Sequence, residues 1–376
     1  MDASVSLLRD LVAIDSVNPS LVPGAAGERQ IAAAIAEHMR RIGLDVVSQA
    51  VVADRPNVIG VLEGRAAGKS LMFCGHVDTV GVENMERPFD PEIRDGRLYG
   101  RGAQDMKGGI AAMIDAARQI AERGLSQGRL IVAAVVDEEY ASLGADALTA
   151  EWTADGAVVT EPTDLLIAVG HKGFAWLEID THGRAAHGSR PAEGRDAIMR
   201  MGRVLQRLEA LDRELQARPP HAVLGTGSLH ASIINGGREL SSYPDRCRLQ
   251  LERRTTLGES GESARDEVKA ILDALAREDP EFHATVALNF ARPPYELASD
   301  HPLPHRLLAA AAAAGCVSRT TGMTFWTDAA VLAGAGVPSV LFGPGGAGLH
   351  SREEYVNVAD VIACRDALAR LVEEWC

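Results

Sequence analysis

Three consecutive carboxylates, Asp137, Glu138 and Glu139, close the most apolar run of the chain, "LIVAAVVDEE". A solvated turn would account for them if they stood alone, but other apolar runs end in the same kinds of residue. "SLMFCGHVD" delivers His76 and Asp78, two apart and therefore on one face of an extended segment. "GAVVTEP" delivers Glu161, and "SVLFGPGGAGLH" places His350 in a glycine-rich loop. Asp105 sits in "RGAQDMKGG", just ahead of a segment of helical period, where by itself it would serve as an N-cap. Imidazoles and carboxylates without cysteine form the donor set of Zn2+, Co2+ or Mn2+ rather than of a structural thiolate site. Two histidines and three carboxylates suffice for two cations only if one carboxylate bridges, which leaves room for a shared water. Asp105 is the candidate bridge. Asp78 suits a supporting part: a carboxylate that accepts the free N–H of a ligating histidine and fixes its tautomer.

The elements that must position these groups follow from the periodicity. From residue 57 to 160, short Val/Ile/Leu-rich runs alternate with longer segments of helical period. In one of these, Ile110, Met113, Ala117 and Ile120 recur at three- and four-residue steps before Gly124. The end of the chain repeats the grammar, with an Ala-rich helix at 306–314, the strand "SVLFG" and a last helix "DVIACRDALARLVEEW". Continuous apolar strands between helices predict a mostly parallel sheet, whose functional groups gather at the carboxyl ends of the strands. Between 174 and 292 the texture changes: "FAWLEIDTHG" and "CRLQLERRTT" alternate with period two. Two helical stripes accompany them, one from Ile198 through Met201, Leu205, Leu208 and Leu211 to Leu215, the other at Val268, Ile271, Leu272 and Leu275. The expected fold is α/β: a mostly parallel sheet sandwiched by helices, formed by residues 1–173 and 293–376, with a smaller α+β domain inserted at 174–292. The N-terminal "MDASVSLLRDLVAIDSVNPS" reads as an amphipathic helix ending near Asn18-Pro19.

Composition narrows the classes of partner. The formal net charge of −14 argues against nucleic acid, because phosphate binding needs clustered Lys and Arg. It also means that an anionic substrate must be drawn by local arginine or metal charge. Five cysteines without CxxC spacing point to free thiols in a reducing compartment. No apolar run is long enough to span a bilayer, so the expectation is a cytoplasmic protein with no membrane partner.

Taken together, "GHVDTV", "GRLYGRGAQDMKGG", "DEEYASLGA", "TEP", "AAHGSRP" and "FGPGGAGLHSREEYV" resemble the signature set of a zinc-dependent amidohydrolase and metallopeptidase family. That family contains acetylornithine deacetylase, succinyl-diaminopimelate desuccinylase, aminoacylase and carboxypeptidase G. The resemblance runs in order over nearly the whole chain. It implies two Zn2+ ions, with Co2+ or Mn2+ as alternatives: one held by His76, Asp105 and Glu161, the other by Asp105, Glu139 and His350. It further implies Glu138 as general acid and base, and a cis peptide at Asp105-Met106. His187 would be a lid histidine that stabilises the oxyanion in the partner subunit's site. Arg254 would grip a substrate carboxylate, with Arg253 on the opposite face of its strand. Ser241-Ser242 and Glu252 depart from the family pattern, which has Asn and Asp at the corresponding places on the substrate side. The implied protein is a homodimer through residues 174–292 that hydrolyses the amide of an N-acyl amino acid. A carboxypeptidase or dipeptidase of the same family, acting on a short peptide, is the alternative within the same chemistry, and a non-catalytic zinc-binding protein of the same fold is the alternative outside it.

Overall fold

The computed structural model describes residues 1–376 and divides into two compact units. The first comprises Met1–Gly170, Leu297–Gly322 and Thr327–Cys376; the second comprises His171–Glu296 and Met323–Trp326. In the first unit the sheet order runs Asp45–Val52, Arg55–Glu63, Arg129–Val135, Ser70–His76, Ala157–Val159, Ser339–Leu341. Strands 129–135, 70–76, 157–159 and 339–341 are mutually parallel. The strand expected at "NVIGVLEG" belongs to the same sheet but runs antiparallel, forming Arg55–Glu63 between Asp45–Val52 and Arg129–Val135.

Burial explains the unbroken apolar runs. From Leu71 to His76, from Leu130 to Val135 and from Ala157 to Val159 every residue is buried, as in strands covered on both faces. Helices Ala3–Val12, Gly108–Arg123, Pro302–Ala313 and Val358–Trp375 form one packed group, and helix Arg29–Arg41 packs on strands 45–52 and 55–63. The stripe at Ile110, Met113, Ala117 and Ile120 is buried in helix Gly108–Arg123, and Gly124 ends that helix at φ 80°. A third, antiparallel sheet of short strands orders Gly346–Ala347, Tyr355–Asn357, Arg97–Tyr99 and Glu92–Arg94.

Two expectations are corrected. The N-terminal helix stops at Val12, well short of Asn18-Pro19. The backbone N–H of Val17 donates to the Asp15 side chain, that of Asn18 to the Thr79 carbonyl and that of Thr79 to Ser16, so residues 16–18 pair with Thr79, just past strand 70–76, instead of extending the helix. In helix Ala197–Ala217, Ile198 is 42% exposed, because Ala197 takes the place one turn before Met201 on the buried stripe. The second unit is otherwise a four-stranded antiparallel sheet in the order Ser228–Gly236, Arg246–Thr255, Gly173–His182, His283–Arg292. One face of it, with Leu177, Ile179, Leu249 and Leu251, shares a core with helices Ala197–Ala217 and Gly261–Glu278. No helix is long and apolar enough to cross a membrane.

Candidate metal centre

The carboxyl ends of the four parallel strands carry the predicted groups. His76 ends strand Ser70–His76, Glu138 and Glu139 follow Arg129–Val135, Glu161 follows Ala157–Val159, and His350 lies beyond Ser339–Leu341. Asp105 comes from the loop before helix Gly108–Arg123, and its peptide bond to Met106 is cis. That helix begins hard against strand 157–159, since any Cβ on Gly109 would collide with the Thr160 carbonyl oxygen. Glycine is therefore what lets the Asp105 loop approach Glu161.

Asp105 stands at the centre. Its Oδ1 is 3.1 Å from His76 Nε2, and its Oδ2 is 3.3 Å from His350 Nε2. His76 Nε2 also lies 3.8 Å from Glu161 and 3.9 Å from Glu138, while His350 Nε2 lies 3.1 Å from Glu139. Donor atoms of His76, Asp105 and Glu139 fall within 4.8 Å of one another, as do those of His76, Glu138 and Glu161. His76 and Glu161 are buried, whereas the His350 side chain is 54% exposed.

Such crowding sets the protonation states. Burial pushes the carboxyl pKa values of Glu138 and Glu161 well up, and the neighbouring carboxylates add to the effect against the opposing charge of His76. Burial and the charge of Asp105 raise Glu139 as well. Burial works against the His76 imidazolium, but hydrogen bonds to Asp105 and Asp78 and the charges of Glu161 and Glu138 override it and raise its pKa. Hydrogen bonds to Asp105 and Glu139 lift His350 to about 10. Asp105 itself is held low, because hydrogen bonds from His350 and His76 outweigh its burial. Buried carboxyl groups whose proton affinity is raised in this way hold protons that divalent cations would displace. Glu139 Oε1, buried without a hydrogen-bond partner, fits the same description. The residues present thus suit divalent cations in number, type and spacing.

Asp78 holds the carboxylate turn in place. Its Oδ1 accepts the Glu138 backbone N–H at 3.2 Å, and its Oδ2 accepts that of Glu139 at 3.2 Å. His76 Nδ1 lies 3.0 Å from the Asp78 carbonyl and 3.5 Å from its Oδ1. These bonds keep Asp78 ionised in spite of complete burial.

Sequence reasoning missed the next layer of support. Asn18 Nδ2 donates to Asp78 at 2.8 Å and to Asp137 at 3.1 Å. Arg55 binds Asp137 at 2.6 Å and both oxygens of Glu28 at 2.6 and 2.7 Å, so the first of the three consecutive carboxylates is an anchor rather than a donor. Glu354, 1% exposed, accepts the backbone N–H groups of Gly102, Gln104 and Asp105 and a 2.7 Å bond from Arg101, whose other terminal nitrogen donates to Ser351. One carboxylate therefore ties the Asp105 loop to the loop of His350. Its place in the sequence is "HSREEYV", directly ahead of the short strand Tyr355–Asn357. His187 and Arg254 belong to the second unit. His187 is exposed, with Nδ1 2.8 Å from Ser189 Oγ, and Arg254 Nε meets Glu252 at 2.7 Å. Arg253 is 1% exposed and pairs with Glu259 and Glu267 on the other face of the strand.

The chain resembles known proteins over most of its length. Residues 72–374 match the model of peptidase family M20/M25/M40. The chain is 31% identical to an acetylornithine deacetylase of Myxococcus xanthus over 98% of this chain and 96% of that protein. Its fold superposes with a TM-score of 0.82 on a tripeptidase of Staphylococcus aureus, 21% identical over 99% of this chain and 97% of that one. It superposes with a TM-score of 0.75 on a dinuclear metal-binding peptidase of the M20 family from Bacillus subtilis, 16% identical over 98% and 96%. With four strand ends converging on one set of histidines and carboxylates, and with a match over most of its length, the chain belongs to peptidase family M20/M25/M40, a family of hydrolases.

Proposed function

We propose that the protein hydrolyses the amide bond of an N-acyl amino acid at a pair of divalent cations. The observation that carries this reading is the division of the Asp105 carboxylate, one oxygen toward His76 at 3.1 Å and the other toward His350 at 3.3 Å. His76, Asp105 and Glu161 would hold one cation, and Asp105, Glu139 and His350 the other, with Zn2+, Co2+ or Mn2+ suiting the donors. When bound, the pair would polarise the scissile carbonyl and acidify a water.

The chain's own groups supply the rest. Glu138, with a proton affinity raised by burial, takes the proton of the attacking water and returns it to the leaving nitrogen. Asp78 keeps the His76 ring oriented and the turn of Glu138 and Glu139 rigid. His187, exposed and with one ring nitrogen engaged by Ser189, serves as the oxyanion donor, and Arg254 grips the substrate carboxylate through its guanidinium. Residues 174–292 carry the lid and the homodimer contact. Ile233 and Ile234, 53% and 50% exposed on the edge strand Ser228–Gly236, support that assignment.

The test is a hydrolysis screen of the metal-loaded protein against N-acetyl, N-succinyl, longer N-acyl and dipeptide substrates, repeated with Glu138→Gln. The variant should lose roughly 10²–10⁴-fold in turnover and keep its metal. Parallel loss of metal and activity would make Glu138 a ligand and remove the proposed acid-base role.

A further inference from the structure

Aromatic residues make up only 4% of the chain, yet four of them form one run of ring contacts on a single face of the second unit's sheet. Phe174 and Trp176 stand two apart on strand Gly173–His182, with ring centroids 5.2 Å apart. Phe290, opposite Trp176 on the neighbouring strand, lies 5.5 Å from its ring and 5.9 Å from Phe174. Trp326 closes the run edge-on to Phe174 at 5.8 Å. Helices Ala197–Ala217 and Gly261–Glu278 share the core of the opposite face, so the sheet does not need these rings to hold its helices. Trp176 and Phe290 are only half-buried.

Cations border the rings. Arg254, cross-strand from Phe174, places its guanidinium carbon 5.6 Å from that ring, and Arg292 lies 5.3 Å from Phe290 and 5.6 Å from Trp326. Lys172, just ahead of strand Gly173–His182, is fixed by a 2.6 Å bond to the Thr226 carbonyl. Glu252 is engaged by Arg254 at Nε (2.7 Å) and by the Trp176 indole N–H (3.0 Å). An acidic chain has thus gathered cations around an aromatic cluster in which Phe174 and Trp326, each 8% exposed, form the buried base and Trp176 and Phe290 the accessible part.

We infer that this face binds the amino-acid part of the substrate, and that the amino acid carries an aromatic side chain beside its carboxylate. The inference rests on the proposed amidase reading and names its substrate class. The carboxylate meets the guanidinium of Arg254, and the side-chain ring packs on Trp176 and Phe290. A cationic side chain, such as that of the acetylornithine named for the Myxococcus xanthus relative, would meet the like charges of Arg254, Arg292 and Lys172 and is disfavoured.

Non-hydrolysable sulfonamide analogues separate this inference from the reaction itself. The metal-loaded full chain is titrated calorimetrically with N-methylsulfonyl derivatives of phenylalanine, glycine and ornithine. The phenylalanine analogue should bind at least roughly tenfold more tightly than the glycine one, and the ornithine analogue most weakly. Trp176→Ala and Phe290→Ala should erase the aromatic margin, Trp176→Phe should retain most of it, and Arg254→Gln should weaken phenylalanine and glycine analogues alike. Trp176→Leu and Phe290→Leu, which remove the rings and keep apolar bulk, keep the test informative if the alanine variants do not fold. Equal binding of the three analogues, or an aromatic margin unchanged in folded alanine or leucine variants of Trp176 and Phe290, would overturn the inference. Ring-dependent binding without any hydrolysis of the parent amides would instead overturn the proposed reaction and leave this surface standing.

Discussion

Replacing Arg55 with Met tests how far the turn of Glu138 and Glu139 depends on groups outside the proposed cation site. The guanidinium donates through Nε and Nη2 to both oxygens of Glu28, at 2.7 and 2.6 Å, through Nη2 to Asp137 at 2.6 Å and Asn18 at 3.1 Å, and through Nη1 to Ser20 at 3.1 Å. Both carboxylate side chains are 0% exposed. Methionine fills much of the volume but leaves two buried anions without a counter-charge, a change that costs about 3–5 kcal/mol. Summing charged hydrogen bonds at about 1.5–3 kcal/mol each would overstate the loss, because desolvation of the arginine is recovered when it is removed. The loss should also depend on pH. Burial holds the Glu28 carboxyl pKa above its ordinary value even with Arg55 present. A folded pKa above the unfolded one means that the fold retains a proton the unfolded chain releases, so stability falls as pH rises through that interval. Without Arg55 the interval widens upward. Chemical denaturation followed by circular dichroism should therefore show a larger deficit at pH 7.5 than at pH 5, together with reduced metal affinity, since Asn18 joins this network to Asp78. A deficit below about 1 kcal/mol, or one independent of pH, would refute the reasoning.

Two other perturbations probe separate parts of the molecule. Glu354→Ala removes the acceptor shared by Arg101 and three backbone N–H groups of the Asp105 loop, and should weaken metal binding roughly 10–100-fold in competition with a chromophoric chelator; unchanged affinity would show that the loop holds its shape unaided. In the second unit, burial lowers the pKa of His171 to about 4. Because the folded value lies below the unfolded one, the unfolded chain takes up a proton first as pH falls, and stability should drop by about 3 kcal/mol between pH 6.5 and 4. His171→Phe should flatten that part of the stability profile, and a profile identical to wild type would assign the acid sensitivity elsewhere.

His76, Glu138, Glu139 and Glu161 could be singled out in the sequence because each follows an apolar run at a strand end, whereas Asp105 lies in a loop ahead of a helix and gains meaning only in their company. The parallel core was readable through strands without polar alternation. What escaped was support that depends on residues distant in sequence. Asn18 and Arg55 lie in different segments from Asp78 and Asp137, and only the folding of residues 16–18 back onto Thr79 brings them together. Asn18-Pro19 looked like a helix stop, whereas the helix ends at Val12. Glu354 carries no mark in the sequence that sets it apart from Glu353, yet it is buried by the loop it organises. Ile198 kept the right spacing for the helical stripe, but Ala197 filled the buried position.

The central claim is that Asp105 is shared by two cations. Elemental analysis of the purified protein and of Asp105→Ala, each equilibrated with Zn2+ and then dialysed, tests it directly. The account predicts about two divalent ions per wild-type chain and loss of both from the variant, with circular dichroism unchanged. One ion per chain in the wild type, or an Asp105→Ala protein that keeps its full complement, would contradict it.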